Sequence, residues 1–149
     1  MNPTGILEAA QKRELQSNWL SLLIVEQTIL EKNYSWLTTS IKRGCLFATG
    51  MLIVNEEQFD VEIKFSPFFK YRFDRVRIRN HGIKFNDEIH VYHDLTLCLY
   101  HPYYDLPYSG YMPLYKIIPW ISEWCHFYGQ WKKYRVWLGD EIKHGDLRG

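Results

Sequence analysis

The stretch Phe59-Asp60-Val61-Glu62-Ile63-Lys64-Phe65 alternates four apolar side chains with three charged ones, without a break. Successive side chains of a strand point to opposite faces, so this stretch demands a sheet with one dry face and one wet face. Antiparallel sheets commonly meet that demand, and the flanking sequence supplies the neighbours. Residues 36–41 and 46–54 before it, and 75–78 after it with a possible extension through Phe85, are rich in strand formers. Residues 55–58 form a short polar link that suits a hairpin, and Ser66-Pro67 ends the alternating strand. The pattern predicts a four-stranded antiparallel meander.

The dry face needs a cover, and both ends of the chain offer one. Leu15, Trp19, Leu22, Leu23, Ile29 and Leu30 recur mostly at three- and four-residue spacing, which predicts a helix from about Thr4 to Lys32. A break near residues 16–18 would divide it into two. Lys12, Arg13, Glu26 and Glu31 occupy its polar positions. Ile117, Ile118, Ile121, Trp124, Cys125 and Tyr128 predict a second helix, with Pro119 tolerable near its first turn and Gly129 as its end. Between strands and helix, residues 81–119 and the Asn80 before them hold Asn80-His81-Gly82, Pro102, Pro107, Ser109-Gly110 and Pro113, which read as turns. Residues 131–139 read as a short helix or packed loop, and residues 144–149 as a fraying end.

A chain of 149 residues with 46% hydrophobic and 17% aromatic content can bury a core without disulfide or metal staples, as one domain over residues 1–149. Its 18 basic and 17 acidic residues leave a formal charge of +1, which gives no global argument for nucleic acid. The apolar clusters are too short or interrupted to span a membrane, and the opening residues lack a secretory pattern. Cys45, Cys98 and Cys125 are odd in number and widely spaced. A reducing, cytoplasmic setting follows as the expectation. Locally, Lys64, Lys70, Arg72, Arg75, Arg77, Arg79 and Lys84 form a basic run with only Asp74 opposing it. Arg75, Arg77 and Arg79 would share one strand face, either to dock acidic protein or RNA or as an ordinary solvated surface.

Cys98 stands out by position. It follows His90 and His93 and lies in Leu97-Cys98-Leu99, directly before Tyr100-His101-Pro102. A reactive thiolate needs access and a favourable proton environment, which nearby imidazoles can supply; an inert thiol packed between Leu97 and Leu99 is the competing reading. His90, His93, Cys98 and His101 fit no structural zinc spacing, so no metal is expected. No nucleophile elbow, phosphate-binding glycine loop or metalloprotease helix occurs, and no cofactor is called for.

From Val91 to Leu99, the sequence Val-Tyr-His-Asp-Leu-Thr-Leu-Cys-Leu resembles the catalytic approach of ubiquitin-conjugating (E2) enzymes. The element order, the Phe65-Ser66-Pro67-Phe68-Phe69 stretch and the Trp120-led helix resemble the E2 core from about Leu15 to Tyr128. Leu97 to Tyr100, followed by Trp120, Trp124, Trp131, Trp137-Leu138-Gly139, Glu141 and His144, resembles bacterial E2-like proteins of antiphage operons, especially the stand-alone E2 of short type II CBASS systems. The resemblance implies an α+β, ubiquitin-conjugating-enzyme-like fold: N-terminal helix, four-stranded meander, cysteine loop and C-terminal helix. It implies an acyl transferase that carries a protein C-terminus as a thioester on Cys98, with a cGAS/DncV-like nucleotidyltransferase as donor in antiviral signalling.

Glu88-Ile89-His90 stands where the eukaryotic family has His-Pro-Asn, so the resemblance assigns oxyanion support to His90. His93, Asp94 or His101 would receive the proton of an attacking amine. Tyr100, Tyr103 and Tyr104 would wall the passage for the donor tail. Leu95 stands where glycine is common, so the turn is expected to be made differently. The competing functional classes are a non-catalytic E2-like scaffold for the same partner and an RNA-binding module on the basic face. A homo-oligomer is compatible with either.

Overall fold

The computed structural model describes residues 3–101, 105 and 110–139. Tyr103, Tyr104 and the chain end at residues 144–149 lie outside the described residues. The N-terminal helical region divides at Asn18 into α1 (Pro3–Ser17) and α2 (Trp19–Asn33). Asn18 closes the first helix with both its backbone and its side-chain amide donating to the Glu14 carbonyl, each at 3.0 Å.

Four strands follow in the order β1 (Thr38–Lys42), β2 (Cys45–Val54), β3 (Glu57–Phe65) and β4 (Asp74–Ile78), all antiparallel to their neighbours. Two-residue turns join the first three. Arg43-Gly44 and Asn55-Glu56 each place both residues at positive φ, the backbone whose twist matches a tight hairpin. The second turn is therefore shorter than the polar link suggests, and Glu57 and Gln58 already belong to β3. At Gly50 a β-carbon would stand 2.2 Å from the Trp36 carbonyl oxygen, a close approach that leaves room only for glycine.

The alternation in β3 is realised fully. Phe59, Val61, Ile63 and Phe65 are completely buried, while Asp60, Glu62 and Lys64 are partly exposed on the other face. The inner face packs with Leu23 and Leu30 of α2 and with Leu114, Ile117, Ile118 and Ile121 of α3 (Leu114–Tyr134) in one apolar core. Helices on one side of an antiparallel sheet make this an α+β, ubiquitin-conjugating-enzyme-like architecture.

Three expectations change on folding. Gly129 does not end α3, which runs on to Tyr134 and is closed by Arg135 at φ +59°. Trp131 packs on Tyr128 beyond that glycine, and such tertiary contact outweighs the roughly 1 kcal/mol helical penalty of one glycine. Pro119 lies well inside the helix and deprives the Tyr115 carbonyl of its usual donor; the Tyr34 hydroxyl supplies a replacement at 3.2 Å. Glu26, at a polar position of the sequence pattern, is 2% exposed and accepts a 3.0 Å bond from the Leu114 amide at the start of α3. A carboxylate there satisfies an orphan donor and faces the positive end of the helix dipole.

Burial raises the Glu26 carboxyl above its ordinary range even though the Leu114 bond draws it down. Burial likewise raises Asp74, against the pull of the Tyr100 hydroxyl and Arg72. A carboxyl raised in the folded state holds its proton more tightly there than in the unfolded chain. Its contribution to stability is therefore complete below the ordinary carboxylate range and is lost as pH rises through the raised value. Glu26→Gln keeps an oxygen for Leu114 and should lessen the fall in urea midpoint between roughly pH 4 and roughly pH 8, with Asp74 accounting for the remaining slope. Glu26→Leu strands the Leu114 amide and should cost about 1–3 kcal/mol in the same titration.

Candidate functional site around Cys98

The segment after β4 returns to the sheet before it reaches the cysteine. Asn80 accepts from the Asp60 amide at 2.9 Å and donates to the Gln58 carbonyl at 2.9 Å, while the His81 ring stacks on Phe59 at 4.4 Å. A short 3-10 turn, Asp87–Ile89, is capped by the Asn86 side chain accepting from the Glu88 amide at 2.8 Å. His90 then adopts the left-handed region at φ 56° and turns the chain toward Cys98.

Residues 91–97 fold as a narrow hairpin. Val91 bridges Leu97, the Tyr92 amide donates to the Thr96 carbonyl at 2.8 Å, and the Leu95 amide donates to the Tyr92 carbonyl at 2.9 Å. Leu95 stands at φ +69°. The turn is therefore made with the left-handed geometry a glycine would take, not by a different device. The sheet and loop hold the cysteine from both sides: Leu97 donates to Val76 of β4 at 2.7 Å, and Cys98 donates to the His90 carbonyl at 2.9 Å.

The far wall belongs to α3. The Trp124 indole donates to the Ile89 carbonyl at 2.8 Å, and the Trp131 indole to the Glu88 carboxylate at 2.9 Å. Trp137 folds back so that its ring centre lies 5.0 Å from that of His90. These tryptophans at wide spacing thus secure the loop that precedes the cysteine.

Between loop and helix lies a cavity of about 450 Å³, bordered by His90, Cys98, Leu99 and Tyr100 on one side and by Trp120, Trp124, Phe127 and Trp137 on the other. Asp105, Lys116 and Glu123 add charge to its lining. Cys98 itself is only 3% exposed, so the cavity is its route to other molecules. Burial pushes the thiol above its ordinary value; Tyr92 and the charge of Arg72 act downward, and the charge of Asp105 acts upward. Burial also raises Cys45, and pushes Cys125 up to about 12. Thiol acidity therefore does not single out Cys98. Its place on the cavity does, since neither of the other two cysteines borders that space.

The sequence-predicted residues separate into two groups. His90, Cys98 and Tyr100 meet at the cavity. Tyr100 is 3% exposed, its hydroxyl donates to buried Asp74, and its ring leans on Trp120, so it is a fixed wall rather than a mobile guide. His93 stacks on Phe85 at 4.1 Å, and Asp94 accepts from both the amide and hydroxyl of Thr96 at 3.0 and 2.6 Å; neither borders the cavity. The His101 amide donates to Asp105 at 2.7 Å, and the ring is not part of the lining. Among the described residues, no three His, Cys, Asp or Glu side chains gather as a metal-ligand set.

Lys116, Trp120, Glu123 and Phe127 are not among the sequence-predicted site residues, although their three- and four-residue spacing places them along one helical face beside the buried stripe. Asp105 carried no sequence signal beyond its loop. The basic run is largely engaged within the fold: Arg75 donates to the carbonyls of Lys70, Arg72 and Asp74, Arg77 to that of Asp94, and Arg79 pairs with Asp60 at 2.8 Å.

A family model described as type II CBASS E2 protein matches residues 26–145, which include both cavity walls. The chain belongs to the type II CBASS E2 family. No curated protein and no solved structure matches it. No helix of this CBASS E2 protein, among the described residues, is long and apolar enough to cross a membrane.

Trp124→Phe preserves a ring to stack on Tyr128 but removes the donor to Ile89. It should lower stability by about 1–2 kcal/mol, the cost of an unpaired buried carbonyl. Hydrogen exchange should show the Cys98 amide losing protection while the amides of β3 keep theirs.

Proposed function

We propose that this CBASS E2 protein accepts the C-terminal acyl group of another protein on Cys98 as a thioester and passes it to an amine. Family membership supports the E2-like role, and the observation that carries the chemistry is the Cys98 thiol on a cavity with polar groups at its rim. In the loading step the thiol gives up its proton and sulfur attacks the carbonyl carbon of an activated C-terminus, whose leaving group departs with the bonding electrons. In the transfer step an amine attacks the same carbon, the C–S bond breaks, and the amine proton goes to a base. An amide and the free thiol remain.

His90 borders the same cavity as Cys98 and is the candidate donor to the developing oxyanion, since a neutral imidazole carries one N–H. Asp105 is better placed than His93 or Asp94 to receive the amine proton, because it borders the same cavity and its charge reaches the thiol. The raised thiol makes thiolate a poorer leaving group than an ordinary cysteine, which protects a loaded thioester from stray nucleophiles until an amine is positioned. The donor we favour is a cGAS/DncV-like nucleotidyltransferase, and the setting antiviral signalling in bacteria, because the family is that of CBASS. A second reading, a non-catalytic scaffold for the same partner, draws on the 3% exposure of Cys98.

Incubation with the candidate donor, together with any activating protein from the same operon, separates the two readings. Wild type should give a covalent species on non-reducing gels that thiols dissolve, Cys98→Ser a more thiol-resistant ester, and Cys98→Ala none. An identical adduct in Cys98→Ala would falsify the thioester assignment, and binding without any adduct would favour the scaffold. Asp105→Asn should load at least as readily as wild type but discharge to an amine roughly 10–100-fold more slowly in single-turnover chase.

A further inference from the structure

Three tryptophans meet three consecutive residues of the loop before the cysteine. The Trp131 indole donates to the Glu88 carboxylate and the Trp124 indole to the Ile89 carbonyl, while the Trp137 ring lies against the His90 ring with centres 5.0 Å apart and planes tilted by 44°. The third contact differs in origin. Trp124 and Trp131 stand within α3, whereas Trp137 arrives on a strap, residues 135–139, that leaves the helix at Arg135 with φ +59°. Val136 and Leu138 are exposed, so Trp137 is the side chain that the strap turns inward, where its ring also meets Phe127 and Trp124 at 6.0 and 6.1 Å. A β-carbon at Gly139 would stand 2.5 Å from the Phe127 ring, so glycine lets the strap lie close against α3.

We propose that Trp137 is a positioning residue for His90: the strap lays an aromatic face on the imidazole and so fixes the direction of its N–H at the cavity. The inference rests on the thioester reading, with His90 as the donor to its oxyanion. The backbone of His90 is already tied to the cysteine, since its carbonyl accepts from the Cys98 amide at 2.9 Å, and both side chains border one cavity. Backbone ties do not orient a ring. The torsion that turns an imidazole about its own bond has a broad minimum, so its N–H sweeps a wide arc unless a neighbour restricts it. A hydrogen bond to a developing oxyanion gains most when the donor is aimed before the charge appears, and a small misplacement forfeits much of that gain. Trp137, held in turn by Phe127 and Trp124, supplies the restriction.

The test compares two reactions of the same sulfur, each read at Cys98 by peptide mass mapping of the full chain. With N-acetylglycine thiophenyl ester, the thiolate attacks the carbonyl carbon, the oxygen carries the negative charge, and thiophenolate then leaves with the C–S electrons. Iodoacetamide loses iodide in a single displacement and builds no oxyanion. The ratio of acylation to alkylation, taken for each variant against wild type, therefore follows the oxyanion donor rather than access to the thiol or its acidity. Trp137→Ala should lower that ratio roughly tenfold, and Trp137→Phe should recover most of it. His90→Ala should lower it at least as far, and adding Trp137→Ala to His90→Ala should change it less than about twofold, because coupled residues are not additive. An unchanged ratio in Trp137→Ala or in His90→Ala overturns the proposal, as does full additivity of the two. Should Trp137→Ala not fold, Trp137→Leu, which keeps apolar bulk without a flat face, is judged by the same criterion. A wild-type Cys98 that takes iodoacetamide but no acyl group refutes the thioester reading and this inference with it. Acylation that proceeds with a ratio indifferent to Trp137 refutes this inference alone.

Discussion

The Trp124 indole reaches across the core to the Ile89 carbonyl, and the placement of the site depends on that contact. Trp124 belongs to the helix that seals the sheet, whereas Ile89 belongs to a segment with little regular structure of its own. A carbonyl buried at such a point must find a donor, and only one long, rigid side chain of α3 meets it. Once Ile89 is fixed, His90 can turn through the left-handed region and offer its carbonyl to the Cys98 amide. Leu97 anchors the other side of the cysteine to Val76 of β4. The sulfur is thereby referenced to both layers of the fold, although it stands on neither a helix nor a strand.

Charge inside this protein follows the same economy of fixed partners. Glu26 joins the N-terminal helix pair to the start of α3, and Asp74 joins β4 to Tyr100, immediately beyond the cysteine. Each carboxyl is raised by burial and each is held by a donor from a distant part of the chain. Such pairs contribute little net stability, because desolvation offsets most of the attraction, but they penalise any arrangement that leaves one member unpaired. Both lie at junctions where the helix or loop bordering the cavity meets the rest of the molecule.

The layers were legible because their signals are local and repetitive. The strict alternation of β3 fixed its two faces, and the apolar stripe from Ile117 to Tyr128 identified the covering helix. What periodicity does not convey is which polar residue will be buried with a partner far along the chain. Glu26 looked like a solvent position because a glutamate on a helix usually is one; its partner, Leu114, is 88 residues away. Gly129 looked like a stop because the contact that overrides it, Trp131 on Tyr128, belongs to tertiary structure. At the site, chain proximity brought His93 and Asp94 forward together with His90, but a hairpin sends neighbouring side chains in opposite directions. His93 goes to Phe85 and Asp94 to Thr96, whereas Asp105 and Lys116 reach the cavity from segments that carry no comparable motif.

The depth of Cys98 bears on what kind of chemistry suits it. A sulfur that must attack any passing electrophile is best exposed and strongly acidic, yet this one is buried and less acidic than an ordinary thiol. A sulfur that must hold an acyl group between two encounters has the opposite needs. Water should be kept from the ester, and the departing thiolate should be stable only when the site supplies the means. Trp120, Phe127 and Trp137 give the cavity an aromatic wall beside its polar lining, which on the proposed thioester reading would limit the water that reaches the ester without closing the route to the sulfur. On the proposed thioester reading, low exposure would shield a loaded sulfur until it meets its amine.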